Sequence, residues 1–111
     1  MITVVVPVYN GVHFVDEALA SIDGQRHPDI EVVLVDDGST DGLPELAARL
    51  PAHVRYLRQD NSGPAAARNL GIRSARGELI AFLDVDDRWT PGHLERLEQA
   101  LRKSPEAGIA Q

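Results

Sequence analysis

The stretch LIAFLDVDD, residues 79–87, decides the fold prediction. Its first five residues are all apolar, and a short apolar run bounded by turn residues is typical of a strand that is buried on both faces. The next four residues include three aspartates, and carboxylates are almost never fully buried unless they are paired. The stretch therefore predicts a buried strand over residues 79–83 that ends in an acidic turn over residues 84–87.

Three strand–helix units precede this stretch and repeat its order. Runs rich in apolar and β-branched residues predict strands over residues 2–6, 30–35 and 54–57. Apolar positions at helical spacing predict helices over about residues 14–24, 41–50, 64–75 and 91–103. We expect Phe14 to lie on the packed face of the first helix, Pro7 to close the first strand, and Ser39 or Asp41 to cap the second helix.

Four βα units in succession predict an α/β fold with a largely parallel sheet and flanking helices. No segment has the composition of an interdomain linker, so we expect residues 1–111 to form one domain. An apolar run begins again near Ile109. We expect a fifth strand to start there, and the sheet to be cut off after about four βα units.

The composition excludes several classes of function. The chain has 111 residues, of which 43% are hydrophobic and 25% charged, as in an ordinary soluble domain. Its 17 acidic and 11 basic side chains give a net charge of −6, which repels phosphate backbones and argues against a nucleic-acid partner. The absence of cysteine excludes a disulfide framework and a thiolate zinc site. The first residues have no basic segment and their apolar run stops at Pro7, so we expect neither a signal peptide nor a membrane span there.

Polar residues follow the end of each predicted strand. These clusters are residues 7–10, 36–39, 61–64 and 84–87. In an open parallel sheet the carboxyl ends of the strands meet at one edge, and ligands bind there. We therefore expect one ligand site that is built from all four turns.

The acidic turn Asp84-Val85-Asp86-Asp87 places three carboxylates within four residues. These charges repel one another unless a cation neutralises them, and oxygen ligands suit Mg²⁺ or Mn²⁺. A metal at this position would offset the charge of a bound diphosphate and act as a Lewis acid. The alternative is a turn that only caps a helix or faces solvent, and the motif on its own does not decide between the two.

Other polar residues at the same edge also leave two interpretations open. Asp36 and Asp37 would accept hydrogen bonds from a base or a ribose, or would only shape a turn. Arg68 would supply a cation for phosphate, or would be a solvated helix residue. Tyr9 would stack on a base, or would anchor its own turn. The four histidines are scattered without metal-ligand spacing and receive no role.

Several common motifs are absent or incomplete. Asp84, Asp86 and Glu95 match the first, third and twelfth positions of a calcium-binding EF-hand loop, but Trp89 stands where its sharp turn needs glycine. The sequence has no glycine-rich dinucleotide fingerprint after the first strand, no P-loop and no nucleophile elbow. Calcium binding by this loop and these three kinds of active site are therefore disfavoured.

Four segments taken together resemble the family 2 glycosyltransferases of the GT-A fold. They are residues 4–10 (VVVPVYN), 35–41 (VDDGSTD), 61–69 (NSGPAAARN) and 82–87 (FLDVDD), in the order and spacing of the family. The resemblance covers essentially the whole chain. It implies the donor-binding portion of an inverting enzyme that transfers a sugar from a nucleotide-diphospho-sugar to an acceptor hydroxyl, with Mn²⁺ or Mg²⁺ as the cofactor.

The resemblance also implies roles for individual residues in donor binding. Pro7 and Tyr9 would line the base site, and Asp37 would contact the nucleoside. Arg68 would lie near the diphosphate. None of these roles follows from the spacing of the residues alone.

Within the acidic turn, the resemblance implies that Asp84 and Asp86 lie beside the ribose and the metal. Asp86 and Asp87 would bind the metal, directly or through water. The family often has alanine at the second position of this turn. We expect Val85 to be tolerated there.

In the family, the acceptor-binding half and the general base follow the region that is matched here. That base, an Asp or Glu, deprotonates the acceptor hydroxyl, and no residue of this chain receives the role. We therefore expect the chain to bind the donor weakly and to catalyse no transfer. We also expect its uncovered sheet edge to favour self-association. The expected location is cytoplasmic, with peripheral attachment at the inner face of the membrane as an alternative for the parent protein.

The main alternative is a non-catalytic module that binds nucleotides or other proteins. A receiver domain of the response-regulator type is a weaker alternative, because the chain lacks a lysine after a fifth strand and its acidic pair follows the second strand. The sequence does not identify the nucleotide, the sugar, the acceptor or the linkage, since donor choice depends on small differences in pocket shape.

Overall fold

The computed structural model describes residues 1–103 and the backbone of residues 109–110. It contains the four predicted βα units, followed by a short strand that begins where the sequence predicts one. The strands are β1 Ile2–Val8, β2 Ile30–Asp36, β3 Val54–Arg58, β4 Leu79–Phe82 and β5 Ile109–Ala110. The helices are α1 Val12–Asp23, α2 Leu43–Ala47, α3 Pro64–Ser74 and α4 His93–Arg102.

The sheet has the strand order β3-β2-β1-β4-β5, and all neighbouring strands are parallel. The chain first moves from β1 outward to β2 and β3, and then returns to place β4 on the other side of β1. In an open parallel sheet a ligand crevice lies outside the carboxyl ends of the strands at such a reversal of the strand order. The fold therefore places a crevice at the carboxyl ends of β1 and β4.

The central strands are buried on both faces, which explains why their apolar residues do not alternate with polar ones. On one face, Val4, Val6 and Val8 of β1 pack in a cluster to which α1, α2 and α4 contribute. On the other face, Val5 packs in a second cluster with Ala67 of α3. Each fully buried valine stabilises the fold by about 1.5–3 kcal/mol relative to an exposed one. β1 thus supplies the centre of both cores.

Two sequence predictions about where elements end are wrong. β1 does not close at Pro7 but continues to Val8, with Pro7 opposite Val35 of β2. The carbonyl oxygen of Val5 accepts a hydrogen bond from the N–H of Leu83, on the side of β1 that faces β4. Every second residue of a strand faces the same neighbour, so the nitrogen of Pro7 also faces that side, at a point beyond the end of β4. A proline therefore costs no ladder bond at this position. α2 has five residues, Leu43–Ala47, rather than the ten expected over residues 41–50. Pro51 accounts only for the exclusion of Leu50, since proline disfavours helical backbone in the residue before it.

The expected cap of α2 is partly confirmed. Asp41 Oδ1 accepts a hydrogen bond of 3.1 Å from the N–H of Leu43, the first residue of the helix. Ser39 does not cap the helix, because its Oγ accepts a bond of 2.9 Å from the N–H of Asn10 instead. The turn after β2 is thereby attached to the turn after β1.

A buried carboxylate connects the end of β2 to β3. Asp36 is fully buried and accepts hydrogen bonds from the Tyr56 hydroxyl, from Arg58 Nη1 at 2.6 Å and from the Ser39 N–H at 2.8 Å. Burial by itself raises the pKa of Asp36, but the hydrogen bonds from Tyr56 and Ser39 and the charge of Arg58 outweigh it and lower that pKa. Asp36 therefore fixes the start of the turn that follows β2, and solvent does not reach it.

α3 approaches β1 most closely at Gly71. A Cβ atom on Gly71 would lie 2.3 Å from Cγ1 of Val5, closer than real Cβ contacts come, and 3.0 Å from Cγ2 of the same residue. Gly71 is buried and lies within the helix rather than at its end. The absence of a side chain there sets the distance between α3 and the sheet.

We predict that Gly71→Ala lowers the free energy of unfolding by about 1–3 kcal/mol, because the new methyl group overpacks against Val5. Urea denaturation followed by circular dichroism measures the change. Gly42→Ala is the matched control, since nothing lies within 4 Å of a Cβ at Gly42, and it should change stability by no more than about 0.5 kcal/mol. Equal effects of the two substitutions would contradict the close approach of α3.

We predict that Asp36→Asn lowers the free energy of unfolding at pH 7 by about 2–3 kcal/mol, because the amide loses charged hydrogen bonds to Arg58 and Tyr56. Folding lowers the pKa of Asp36, so its stabilisation is complete above the unfolded pKa of about 4 and is lost as pH falls through the folded value. In denaturation curves between pH 7 and pH 3, the difference in stability between wild type and variant should therefore stay constant down to about pH 4 and become smaller as pH falls further. Asp16→Asn, an exposed change of the same charge, should have little effect at any pH. A gap between wild type and Asp36→Asn that stays constant down to pH 3 would contradict the prediction.

Candidate functional site

The turns at the carboxyl ends of β1 to β4 meet around one cavity of about 630 Å³. This volume lies in the range of small-molecule sites. Six of the seven residues that the sequence analysis assigned to the donor or the metal line the cavity: Pro7, Tyr9, Asp37, Arg68, Asp84 and Asp86. We call it the donor cavity. The expectation that the four turns form one site is thereby supported by their placement.

The turn after β1 is held by hydrogen bonds from the turn after β2. Asn10 has a left-handed backbone with φ of 51°, which few residues other than glycine adopt and which asparagine tolerates. The N–H of Asn10 donates to Ser39 Oγ, and Asn10 Oδ1 accepts a bond of 2.8 Å from the N–H of Thr40. Tyr9, the preceding residue, is left 54% exposed at the donor cavity. The strained turn therefore presents an aromatic ring to the cavity.

Asp37 is almost fully buried, and protein donors occupy both of its oxygens. Oδ1 accepts bonds of 2.8 Å from Gln59 Nε2 and from the Ser62 N–H. Oδ2 accepts bonds from the Gly63 N–H at 3.0 Å and from Asn61 Nδ2 at 3.3 Å. Burial raises the pKa of Asp37, but these hydrogen bonds lower it further than burial raises it. Asp37 therefore holds the turn between β3 and α3, and its direct contact with a nucleoside stays a prediction.

The acidic turn is exposed and tightly closed. The N–H of Asp87 donates to the Asp84 carbonyl at 2.9 Å, and all three carboxylates are open to solvent. Asp84 and Asp86 line the donor cavity, whereas Asp87 lines a neighbouring cavity of about 320 Å³ that also includes Asp84 and Arg68. Arg68 Nη2 lies 3.6 Å from Asp84 Oδ1, so this ion pair stands where the two cavities adjoin.

The carboxylates of this turn fit a metal that is shared with a ligand. Within residues 1–103, no group of three or more His, Cys, Asp or Glu side chains is placed to hold a metal ion. Mg²⁺ is usually bound by only one or two carboxylates together with substrate phosphates and waters. Two exposed aspartates beside a cavity are enough for that arrangement. Asp86 and Asp87 line different cavities, and their joint binding of the metal stays a prediction.

The sequence analysis missed two contributors to the donor cavity. Phe14 was assigned to the packed face of α1, but its side chain is 46% exposed and lines the cavity. Gly11 contacts the acidic turn: a Cβ on Gly11 would lie 2.9 Å from Cγ1 of Val85. The side chain of Val85 thus occupies the space that a side chain at residue 11 would need. Neither feature has a local sequence signal, because both depend on how two distant turns meet.

The histidines occupy positions outside the donor cavity. His27 and His53 lie 3.3 Å from Glu98 and Asp23, and His13 is exposed. His93 lines the smaller cavity, where burial and the charge of Arg96 lower the pKa of its imidazole. No helix within the described ranges is long and apolar enough to cross a membrane.

Comparison with known proteins finds glycosyltransferases that are similar to this chain in sequence and in structure. An uncharacterised glycosyltransferase of Rickettsia conorii is 45% identical over 96 residues, which are 85% of this chain and 16% of the relative. The crystal structure of S. aureus TarS 1-349 in complex with UDP-GlcNAc is similar with a TM-score of 0.82 and 30% identity, over 92% of this chain and 31% of that chain.

A second solved structure extends the comparison to a metal complex. The mannosyltransferase PcManGT from Pyrobaculum calidifontis, in complex with GDP-Man and Mn²⁺, is similar with a TM-score of 0.82 and 32% identity, over 90% of this chain and 32% of that chain. The chain spans less than one third of each of these three proteins. The model of glycosyl transferase family 2 matches residues 3–111. This chain therefore belongs to glycosyl transferase family 2 and has the GT-A fold that its motifs imply.

Proposed function

We propose that this chain binds the nucleotide-diphospho-sugar donor, with a divalent metal, for an enzyme that transfers the sugar to an acceptor hydroxyl with inversion. The observation that carries the proposal is the donor cavity itself. It collects an aromatic ring, a guanidinium and two exposed carboxylates at the point where the strand order reverses. A nucleoside diphosphate needs these three kinds of group for its base, its phosphates and its metal.

In this proposal the base lies against Pro7, near the end of β1, and Tyr9, in the turn that follows β1. Asp37 holds in place the turn beside the nucleoside site, and it contacts the edge of the nucleoside. Arg68 binds the diphosphate. Support comes from two similar structures, the complex of TarS 1-349 with UDP-GlcNAc and the complex of PcManGT with GDP-Man and Mn²⁺.

The metal, Mn²⁺ or Mg²⁺, would be held by Asp86 with Asp87, while Asp84 lies beside it and the ribose. It would offset the negative charge of the diphosphate and favour departure of the nucleoside diphosphate. A chain with a net charge of −6 gains most from such an ion, because its own field repels the donor. Arg68, now 3.6 Å from Asp84, is the cation of the cavity that would assist it.

The proposal separates donor binding from catalysis. Inversion requires a base that takes the proton of the acceptor hydroxyl, and we assign that role to a residue outside this chain. The chain alone would then bind the donor weakly and transfer nothing. Self-association of the chain and a cytoplasmic location, free or at the inner face of the membrane, belong to the same proposal. The alternative is a module that binds nucleotide without taking part in catalysis.

We predict that UDP-GlcNAc or GDP-mannose binds this chain only with Mn²⁺ or Mg²⁺, and that Asp86→Ala weakens binding at least about tenfold, because one metal ligand is lost. Isothermal titration calorimetry with UDP, GDP and the two sugar nucleotides, with and without Mn²⁺, measures both effects. Asp16→Ala, an exposed aspartate of α1 away from the cavity, is the control and should bind like wild type.

The outcomes separate the two functions. Binding that does not depend on metal, or that survives Asp86→Ala unchanged, would favour the nucleotide-binding module. A lack of binding to all four ligands would overturn the donor site. Sugar transfer catalysed by the chain alone would contradict the placement of the base elsewhere.

A further inference from the structure

Two large hydrophobic side chains are exposed in the described part of the chain, and both line the donor cavity. They are Tyr9 at 54% and Phe14 at 46% of full exposure. Large apolar side chains are normally buried, and exposing them forfeits their contribution to folding. The coincidence of both at one cavity indicates that a ligand surface covers them.

Phe14 departs from the packing of its own helix. Val15, Ala18 and Ile22 form the buried face of α1 against the sheet, and each is at most 1% exposed. Phe14 lies in the first turn of α1, next to the cavity. The fold therefore does not use this ring for its core.

Hydrogen bonds fix the backbone of the turn between Tyr9 and Phe14, and with it the backbone position of Phe14. The Phe14 N–H donates to the Gly11 carbonyl at 2.9 Å, which closes the first turn of α1. The Val12 N–H donates to Asp41 Oδ2 at 3.0 Å, and the strained Asn10 is bonded to the turn after β2. The backbone positions of Tyr9 and Phe14 thus lie on either side of a turn that hydrogen bonds hold in place.

The charged residues of the cavity suit the polar parts of the donor, so the nucleobase is the part that remains for the two rings to contact. Asp37, Arg68, Asp84 and Asp86 are its charged lining residues, and they suit hydroxyls, phosphates and a metal. A nucleobase is planar and largely apolar on its two faces, and aromatic side chains stack on every type of base.

We propose that Phe14 is a second aromatic contact of the nucleobase and acts together with Tyr9. The inference rests on the proposed function, since it takes the ligand of the cavity to be a nucleotide. Phe14 then contributes to affinity for the base half of the donor and not to binding of the diphosphate or the metal. Because stacking tolerates any base, the pair favours nucleotides over phosphates without selecting one nucleotide.

The test compares ligands with and without a base. Affinities for UDP, GDP and inorganic pyrophosphate, each with Mn²⁺, are measured by calorimetry for wild type, Phe14→Ala and Phe14→Tyr. Phe14→Ala should weaken UDP and GDP binding by about tenfold, the scale of one lost stacking contact, and leave pyrophosphate unchanged. Phe14→Tyr keeps an aromatic ring and should retain most of the affinity.

His13→Ala is the matched control, because His13 is the exposed neighbour of Phe14 on α1 and does not line the cavity. Thermal unfolding should be nearly unchanged in Phe14→Ala, since the ring is half exposed. Unchanged UDP and GDP affinity in Phe14→Ala, or an equal loss for pyrophosphate, overturns the inference and leaves the proposed function standing. If wild type binds neither nucleoside diphosphate, the proposed function fails and this inference fails with it.

Discussion

The position of β1 between β2 and β4 is the constraint on which the rest of the structure depends. Because the chain leaves β1 towards β2 and later returns to its other side with β4, four turns gather at one end of the sheet. Burial on both faces leaves β1 no freedom to shift, since Val4 and Val5 pack in opposite cores. The donor cavity is a consequence of this topology before any polar residue is considered.

The carboxylates at this end of the sheet fall into two classes, and burial separates them. Asp36 and Asp37 are buried and accept hydrogen bonds from protein groups, which lower their pKa values. They are therefore anions at neutral pH, and they hold turns in place. The aspartates of the acidic turn are exposed, and in this ligand-free chain only Asp84 has a cationic partner among the described residues, Arg68. The first class organises the cavity, and the second remains available to a cation and a phosphate. A motif of adjacent aspartates therefore does not reveal which class each belongs to.

The sequence predicted those features that depend on periodicity or on position along a strand. The apolar runs located the strands, and strand ends located the turns that form the cavity. It failed where two distant segments meet. Nothing near Phe14 distinguishes it from the buried positions of α1, and nothing near Asp37 indicates that Gln59 and the turn after β3 occupy its oxygens. The inclusion of Pro7 in β1 could not be predicted, because only the strand order shows that the nitrogen of Pro7 faces no hydrogen-bonding partner in the sheet.

The same separation of carboxylates bears on where catalysis takes place. A general base must reach the acceptor hydroxyl and accept its proton, and it works best with a pKa near the working pH. Asp36 and Asp37 have lowered pKa values, and protein hydrogen-bond donors already occupy their oxygens. In the proposed donor complex the carboxylates of the acidic turn are engaged with the metal and are not available to the acceptor hydroxyl. Under the proposed function, the carboxylates that line the donor cavity are thus suited to hold a leaving group, which agrees with the proposal that the base lies elsewhere.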